Sequence, residues 1–246
     1  MRNVMQDKKG FSGSTLKLIA IITMFIDHIG AVIVERMLYV TGNTGSFTYE
    51  QMQNLDDILR GIGRLGFPLF CFLLVEGFMH TRNIRRYAVR LLLFAFVSEL
   101  PFNLAFTGRI FYPGYQNVFF TLFIGLITMW GCRIIEEKTQ FHVILQYVLG
   151  IFFVIMGAWF AEWLQTDYAG IGVLCIMALY LFRKNRTLQV LAGALAFCWE
   201  IPAPLAFVPV AFYNGRRGLK MKYFFYIFYP VHLLVLYLVA YFCVLT

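Results

Sequence analysis

Asp27 and His28 stand side by side in the middle of the apolar run LKLIAIITMFIDHIGAVIVERM, residues 16–37. A neutral imidazole can take a proton on one ring nitrogen while the other is fixed as a donor, so this pair is suited to general-base chemistry. Lys17 precedes His28 by eleven positions, roughly 16 Å and three helical turns plus about 20°, which puts both on one helix face. Glu35, seven positions beyond His28, falls close to the same face. Lys17 can extend its ammonium to a surface, whereas His28 at mid-depth cannot. An ionisable group in a bilayer core costs about 2.5–3.5 kcal/mol or more, so each needs a partner or a task. The simpler reading of Asp27 and His28 is a polar pair that joins helices.

Further along, Arg82, Arg85, Arg86 and Arg90 lie within nine residues. Planar guanidiniums suit phosphate, and this density exceeds what membrane orientation requires. The same helix carries Ser98, Glu99, Pro101 and Asn103, with Glu99 expected at the depth of His28 and Pro101 expected to kink the chain. His232 follows Pro230 in the last apolar run, a second imidazole at mid-depth, for which a packed, hydrogen-bonded role is the plain alternative. Glu76 is expected to pair with an arginine of the next loop, and Arg64 with Glu35 or a loop acid. Asn117, Glu162 and Asp167 are expected toward the outer ends, and His80 and His142 at the inner surface.

These residues need helices to place them. Of 246 residues, 60% are hydrophobic and 14% charged, against roughly 25% charged in soluble domains. Mean hydropathy is +0.71. An ordinary soluble enzyme, a disordered chain and a nucleic-acid binder are excluded on this basis. A bilayer core of ~30 Å takes about 20 helical residues. Runs at 16–38, 62–80, 87–107, 115–135, 141–161, 166–182 and 222–245 fit, and 187–213, broken by Pro202, Pro204 and Pro209, divides near residue 200. The expected fold is an all-α polytopic bundle of about nine membrane segments in a single domain, 1–246. The longest loop, 39–61, lies outside, and 51–60 is expected as a short surface helix.

Basic residues orient the bundle. With a cytoplasmic N-terminus, seventeen of the 21 lysines and arginines fall inside, Arg2, Lys8, Lys9, Lys138, Lys220 and Lys222 among them. Only Arg36, Arg60, Arg64 and Arg109 fall outside, as the positive-inside rule expects. The net charge of +8 is then a topology signal and a surface for anionic lipid, with no nucleic acid called for. The five cysteines, in or beside apolar runs and without a CxxC pair, point to neither a disulfide framework nor a metal site. The first run is not expected to be a cleaved signal, since it carries Asp27–His28 and lacks a small-residue cleavage site.

Four stretches, LKLIAIITMFIDHIG, GRLGFPLFCFLLVEGFMHTRN, RYAVRLLLFAFVSELPFNLAF and KYFFYIFYPVHLL, occur in this order. Together they resemble the TraX family of membrane proteins, whose founding member is associated with N-terminal acetylation of a conjugative pilin. That family is similar in turn to the integral membrane acyltransferases, the acyltransferase 3-like group that modifies sugars and polysaccharides. The larger group carries a basic residue, ten intervening positions and a histidine in its first helix, a spacing matched by Lys17 and His28. It also carries an arginine-rich helix end, which Arg82, Arg85, Arg86 and Arg90 resemble. The resemblance implies a bacterial plasma-membrane protein that uses acetyl-CoA or another acyl-CoA entering from inside.

The expected reaction is acyl transfer to a hydroxyl or amine at the outer side, on a protein, glycan or lipid. CoA phosphates would dock on Arg82, Arg85 and Arg86, assisted by Lys17 or Arg90. His28 would be the base, with Asp27 or Glu99 orienting or stabilising it. Glu35, Arg64, Glu76, Asn103, Asn117 and His232 are expected as substrate-contacting or structural polar groups. No metal is called for. The rival reading is a proton-coupled transporter relaying through Asp27, His28, Glu99 and His232, and a purely structural bundle comes third.

Overall fold

The computed structural model describes residues 10–42, 44–138, 142–219 and 222–243. Arg2, Lys8, Lys9 and Lys220 of the basic set lie outside the described residues. Among the described residues the regular elements are helices, since only internal hydrogen bonding satisfies a backbone in lipid. Helices α1 (Gly13–Ile29), α2 (Tyr49–Gly63), α3 (Gly66–His80), α4 (Ile84–Thr107) and α5 (Val118–Glu136) are followed by α6 (Val143–Trp163), α7 (Ala169–Leu181), α8 (Arg186–Ala196), α9 (Phe207–Ala211) and α10 (Lys222–Cys243). Among the described residues six stretches are long and apolar enough to cross a membrane: Gly13–Thr41, Tyr49–His80, Ile84–Thr107, Val118–Glu136, Val143–Trp163 and Tyr223–Cys243.

Local chemistry sets the helix starts. Ser12, Asn83, Asn117 and Asn185 each accept a first-turn N–H, and Thr48 with Gln51 forms a reciprocal capping box on α2. Gly42 and Gly108 end their helices with positive φ, which glycine adopts without a Cβ penalty. Beyond His28 the first helix widens into two π turns, Gly30–Val34 and Met37–Thr41. α4 and α10 run on through Pro101 and Pro230.

The core lies where α1, α3, α5, α7 and the short helices meet, around Leu16, Phe72, Phe78, Leu126, Met129, Ile176 and Phe207. Glycine permits close approach at one point in particular: a Cβ at Gly170 would lie 2.8 Å from the Ala158 carbonyl, so α6 and α7 touch there backbone to backbone. α6 buries only Ala161, and its apolar surface is otherwise open, as suits a helix bathed in lipid.

Two segments take the short forms expected of them, with detail that the sequence does not give. The 39–61 stretch is mostly helix. In α2, Met52, Asp56 and Gly63 are buried while Leu55, Ile58 and Ile62 are exposed. The run 187–213 holds an 11-residue α8, the 3-10 turn Ala203–Ala206 and a five-residue α9, each too short to cross a ~30 Å core upright. It folds as one hairpin along α3. At its base the Arg186 guanidinium lies 5.0 Å from the Tyr213 ring centre, and at its tip Glu200 meets Arg64, just before α3 begins. Pro202 and Pro204 break this run because they withdraw backbone donors, whereas Pro209 sits in the first turn of α9, where no donor is needed.

Candidate functional site

α1, α2 and α10 converge on His28. Its ring is buried between Phe106 and Tyr229, with centroids 5.5 and 6.1 Å away, and faces the bundle interior. Nδ1 of His28 lies 2.6 Å from Nε2 of His232, 204 residues away in sequence. The two ring planes are within 3° of parallel and their centroids are 4.9 Å apart. The nitrogens are far closer than the centroids, so the rings meet edge to edge through one hydrogen bond and are not face-stacked. Phe228 stacks on His232 at 4.8 Å.

The opposite edge of His28 faces a cluster of charged side chains. Its Nε2 is 3.9 Å from Asp27 Oδ2, too long for a direct hydrogen bond. That oxygen is held by Arg60 Nη1 at 2.5 Å, and Arg60 Nε reaches Glu35 at 3.4 Å. Arg64 Nη1 meets Glu200 at 2.6 Å. Asp27 is thus Arg60's partner first and the imidazole's neighbour second. The arginine of α2 was read from sequence only as an outer charge. The amphipathic pattern of 49–63 was the signal that could have placed it on α1. Buried Oδ1 atoms of Asp27 and Asp56, and Oε2 of Glu200, have no hydrogen-bond partner among the described residues.

Two loops, one before α5 and one between α6 and α7, are joined beside this cluster. Gln116 and Thr166 form a parallel bridge, Tyr115 Oη donates to Asp167 Oδ1 at 2.9 Å, and the Thr121 hydroxyl donates to the Asp167 carbonyl. Burial raises the Asp167 carboxyl to about 6, with the Tyr115 hydrogen bond pulling the other way, and burial likewise raises Tyr115. Tyr168 stacks on Phe67 with centroids 3.6 Å apart. Gln165, Tyr168 and Ala169 hold positive φ without being glycine, a local strain that tertiary packing sustains.

The remaining expected residues separate into two groups. Glu99 accepts from Asn117 Nδ2 at 2.5 Å and from its main-chain N–H at 3.1 Å, which ties α4 to the start of α5. Asn103 is buried on the same helix. No contact links Glu99 to His28 among the described residues, so of the two acids expected beside the imidazole only Asp27 is there. At the other end of the bundle Glu76 pairs with Arg186 at 3.0 Å, a partner from α8 and not from the next loop. Arg82, Arg85 and Arg86 are left without a carboxylate partner among the described residues. Arg85 and Arg86 are exposed, and Arg90 lies over the Tyr87 ring.

α10 connects the two ends. Lys17 Nζ sits 5.3 Å from the Phe225 ring centre, and Tyr226, which Arg90 hydrogen-bonds, stacks with Phe94 at 4.9 Å. His232 lies six residues above Tyr226 on α10, roughly 9 Å along the axis. Tyr226, Phe119 and Tyr229 fill the seam between Arg90 and the imidazoles.

Residues 12–240 match the family model described as TraX protein. The chain belongs to the TraX family. The match covers the imidazole pair, the charged cluster and the arginine-bearing start of α4 alike, and with the long apolar helices it makes this an integral bacterial membrane protein. The TraX chain is also 32% identical over 254 residues to a Dichelobacter nodosus protein described as probable fimbrial assembly protein FimC, serogroup H1, covering 92% of this chain and 94% of that one. No solved structure matches.

Proposed function

We propose that this TraX-family protein is a membrane acyltransferase that moves an acyl group from acyl-CoA to an amine or hydroxyl at the opposite side. The observation that carries the reading is His28: a buried imidazole with one edge held by His232 and the other turned toward Asp27 and the charged cluster around it. In the reaction His28 Nε2 removes the proton of the acceptor X–H, and X attacks the thioester carbonyl carbon. The carbon–sulfur bond breaks, the CoA thiolate leaves with its electron pair, and the imidazolium returns the proton to sulfur. Asp27, 3.9 Å away, stabilises the transient imidazolium.

The basic ends support the direction. Among the described residues Arg82, Arg85 and Arg86 lie, with the loop of Arg216 and Arg217, at one end of the bundle, the end taken as cytoplasmic. Arg60, Arg64 and the acids gather at the other. Arg82, Arg85 and Arg86 would take the CoA phosphates, with Lys17 and Arg90 nearer the α10 seam. Acetyl-CoA is the simplest donor. The pantetheine arm would pass along α10, which requires Tyr226 or Phe119 to swing aside. Around Asp27, the acids Asp27, Glu35, Asp56, Asp167 and Glu200 outnumber Arg60 and Arg64, which favours an acceptor that arrives as an ammonium, such as a protein amine, and sheds one proton to solvent before His28 takes the second. The fimbrial assembly named for the Dichelobacter relative agrees with an outer protein acceptor.

The transporter reading has less support. The hydrogen-bonded run from His28 through His232 stops at the Phe228 main-chain oxygen, which cannot pass a proton on. The deciding experiment uses purified protein in lipid nanodiscs with radiolabelled acetyl-CoA. Acyl loss from CoA that disappears in His28→Ala, with the fold retained, is expected. Undiminished turnover in that variant would remove His28 from the chemistry, and no binding of acetyl-CoA by the intact protein would remove the reaction.

A further inference from the structure

His232 Nδ1 lies 2.8 Å from the Phe228 carbonyl oxygen, one turn earlier on α10. A carbonyl has no hydrogen to give, so the ring nitrogen is the donor and Nδ1 of His232 carries a proton. A neutral imidazole protonated at Nδ1 has a bare Nε2. That bare nitrogen is 2.6 Å from His28 Nδ1. Two lone pairs cannot face each other at this distance, so His28 Nδ1 carries the proton and donates it. His28 is then bare at Nε2, the atom 3.9 Å from Asp27 Oδ2 and turned to the charged cluster.

We propose that His232 is a positioning residue that locks His28 in the Nδ1–H tautomer and so presents its Nε2 lone pair to the acceptor. The consequence for turnover rests on the acyl-transfer reading, while the proton assignment stands on geometry alone. Packing holds the lock in place. Phe228 lies parallel to His232 at 4.8 Å and Phe25 meets it edge-on at 6.1 Å, while Phe106 and Tyr229 pin His28. When His28 takes the acceptor proton at Nε2, the Nδ1–H bond to His232 is unbroken, so the ring does not turn during the reaction. Asp27 does not set the tautomer. Arg60 already holds it, and it faces the nitrogen that must stay bare.

The test reads the tautomer directly by nitrogen NMR on the whole protein in nanodiscs with labelled histidine. The chain has four histidines, so each signal is assigned by removing one at a time. The expected spectrum shows neutral His28 protonated at Nδ1 without any acyl-CoA present. His232→Gln places an acceptor oxygen where Nε2 was and should keep that tautomer, with turnover within about tenfold of the parent. His232→Phe should mix the tautomers and lower turnover by roughly 100-fold or more, the scale of a lost general base. His28 found as the Nε2–H tautomer or as an imidazolium, or a tautomer unmoved in His232→Phe, overturns the lock whatever the transfer assay gives. A locked His28 in a protein that transfers no acyl group would overturn the reaction and leave the lock standing. Should His232→Phe fail to fold, the parent spectrum and the His232→Gln variant still decide.

Discussion

Arg60 reaches back across 33 residues to hold the Asp27 carboxylate at 2.5 Å. Neither side chain is more than a quarter exposed. The pair fastens α2 to α1 at the level of His28, and it decides which face of that imidazole meets a charge.

Removing one partner should therefore cost more than removing both. Arg60→Ala leaves Asp27 buried and unpaired and is expected to lower unfolding stability by about 2–4 kcal/mol, discounted for partial exposure. Adding Asp27→Asn should recover part of that loss. Denaturant unfolding of the three variants in one detergent measures it, and an additive double variant would show that the two groups do not interact.

Two glycines of α2 should respond oppositely to the same change. A Cβ at Gly63 would fall 2.1 Å from Asp27 Oδ1 and 2.2 Å from its Cβ, so Gly63→Ala must lift α2 from α1, at about 1–3 kcal/mol. Gly61 has nothing within 4 Å, and Gly61→Ala should stabilise the helix by about 0.5–1 kcal/mol. Thermal melts of the two variants compare them directly.

The arginines at the other end divide by partner. Arg85→Ala with Arg86→Ala removes two exposed cations without a carboxylate partner and should weaken CoA binding about tenfold or more, with the difference shrinking as salt rises. Arg186→Ala should instead destabilise the fold, because it strips Glu76 at 3.0 Å and vacates the Phe72 ring at 4.7 Å. Calorimetric titration of CoA beside melts of each variant separates the two roles. Equal CoA affinity in the double variant would remove the docking assignment.

Asp167 supplies a pH signature. Its carboxyl is raised to about 6 from an ordinary value of 3.8, so the fold favours the protonated form. The stability this contributes is fully present below about 3.8 and is lost as pH rises through about 6. Asp167→Asn keeps an acceptor for Tyr115 and carries no charge. It should melt above the parent at pH 8 and level with it near pH 4. A gap that stays constant over this range would show that the Asp167 carboxyl is not raised.

Much of the candidate site was legible one residue at a time. Helical spacing put Lys17, His28 and Glu35 on one face, and cost placed Asp27, His28 and His232 where polar groups are rare. The family likeness came from the same ordered stretches. Partners were less legible. Glu76 was expected to pair near Arg82–Arg90 but pairs with Arg186, and Glu99 was expected near His28 but binds Asn117. Any arginine at the right depth can satisfy a carboxylate, and sequence distance does not rank them.

By itself the amino-acid order determined the apolar runs, their caps at Ser12, Asn83 and Asn117, the break at Pro202 and Pro204, and the separation of basic from acidic ends. These follow from backbone chemistry and the cost of charge in lipid, which act locally. Only the tertiary structure decided that His28 meets His232, that Asp27 meets Arg60, and that 187–213 doubles back along α3. Those depend on how far each helix turns about its axis as side chains interlock, and packing between distant segments sets that rotation.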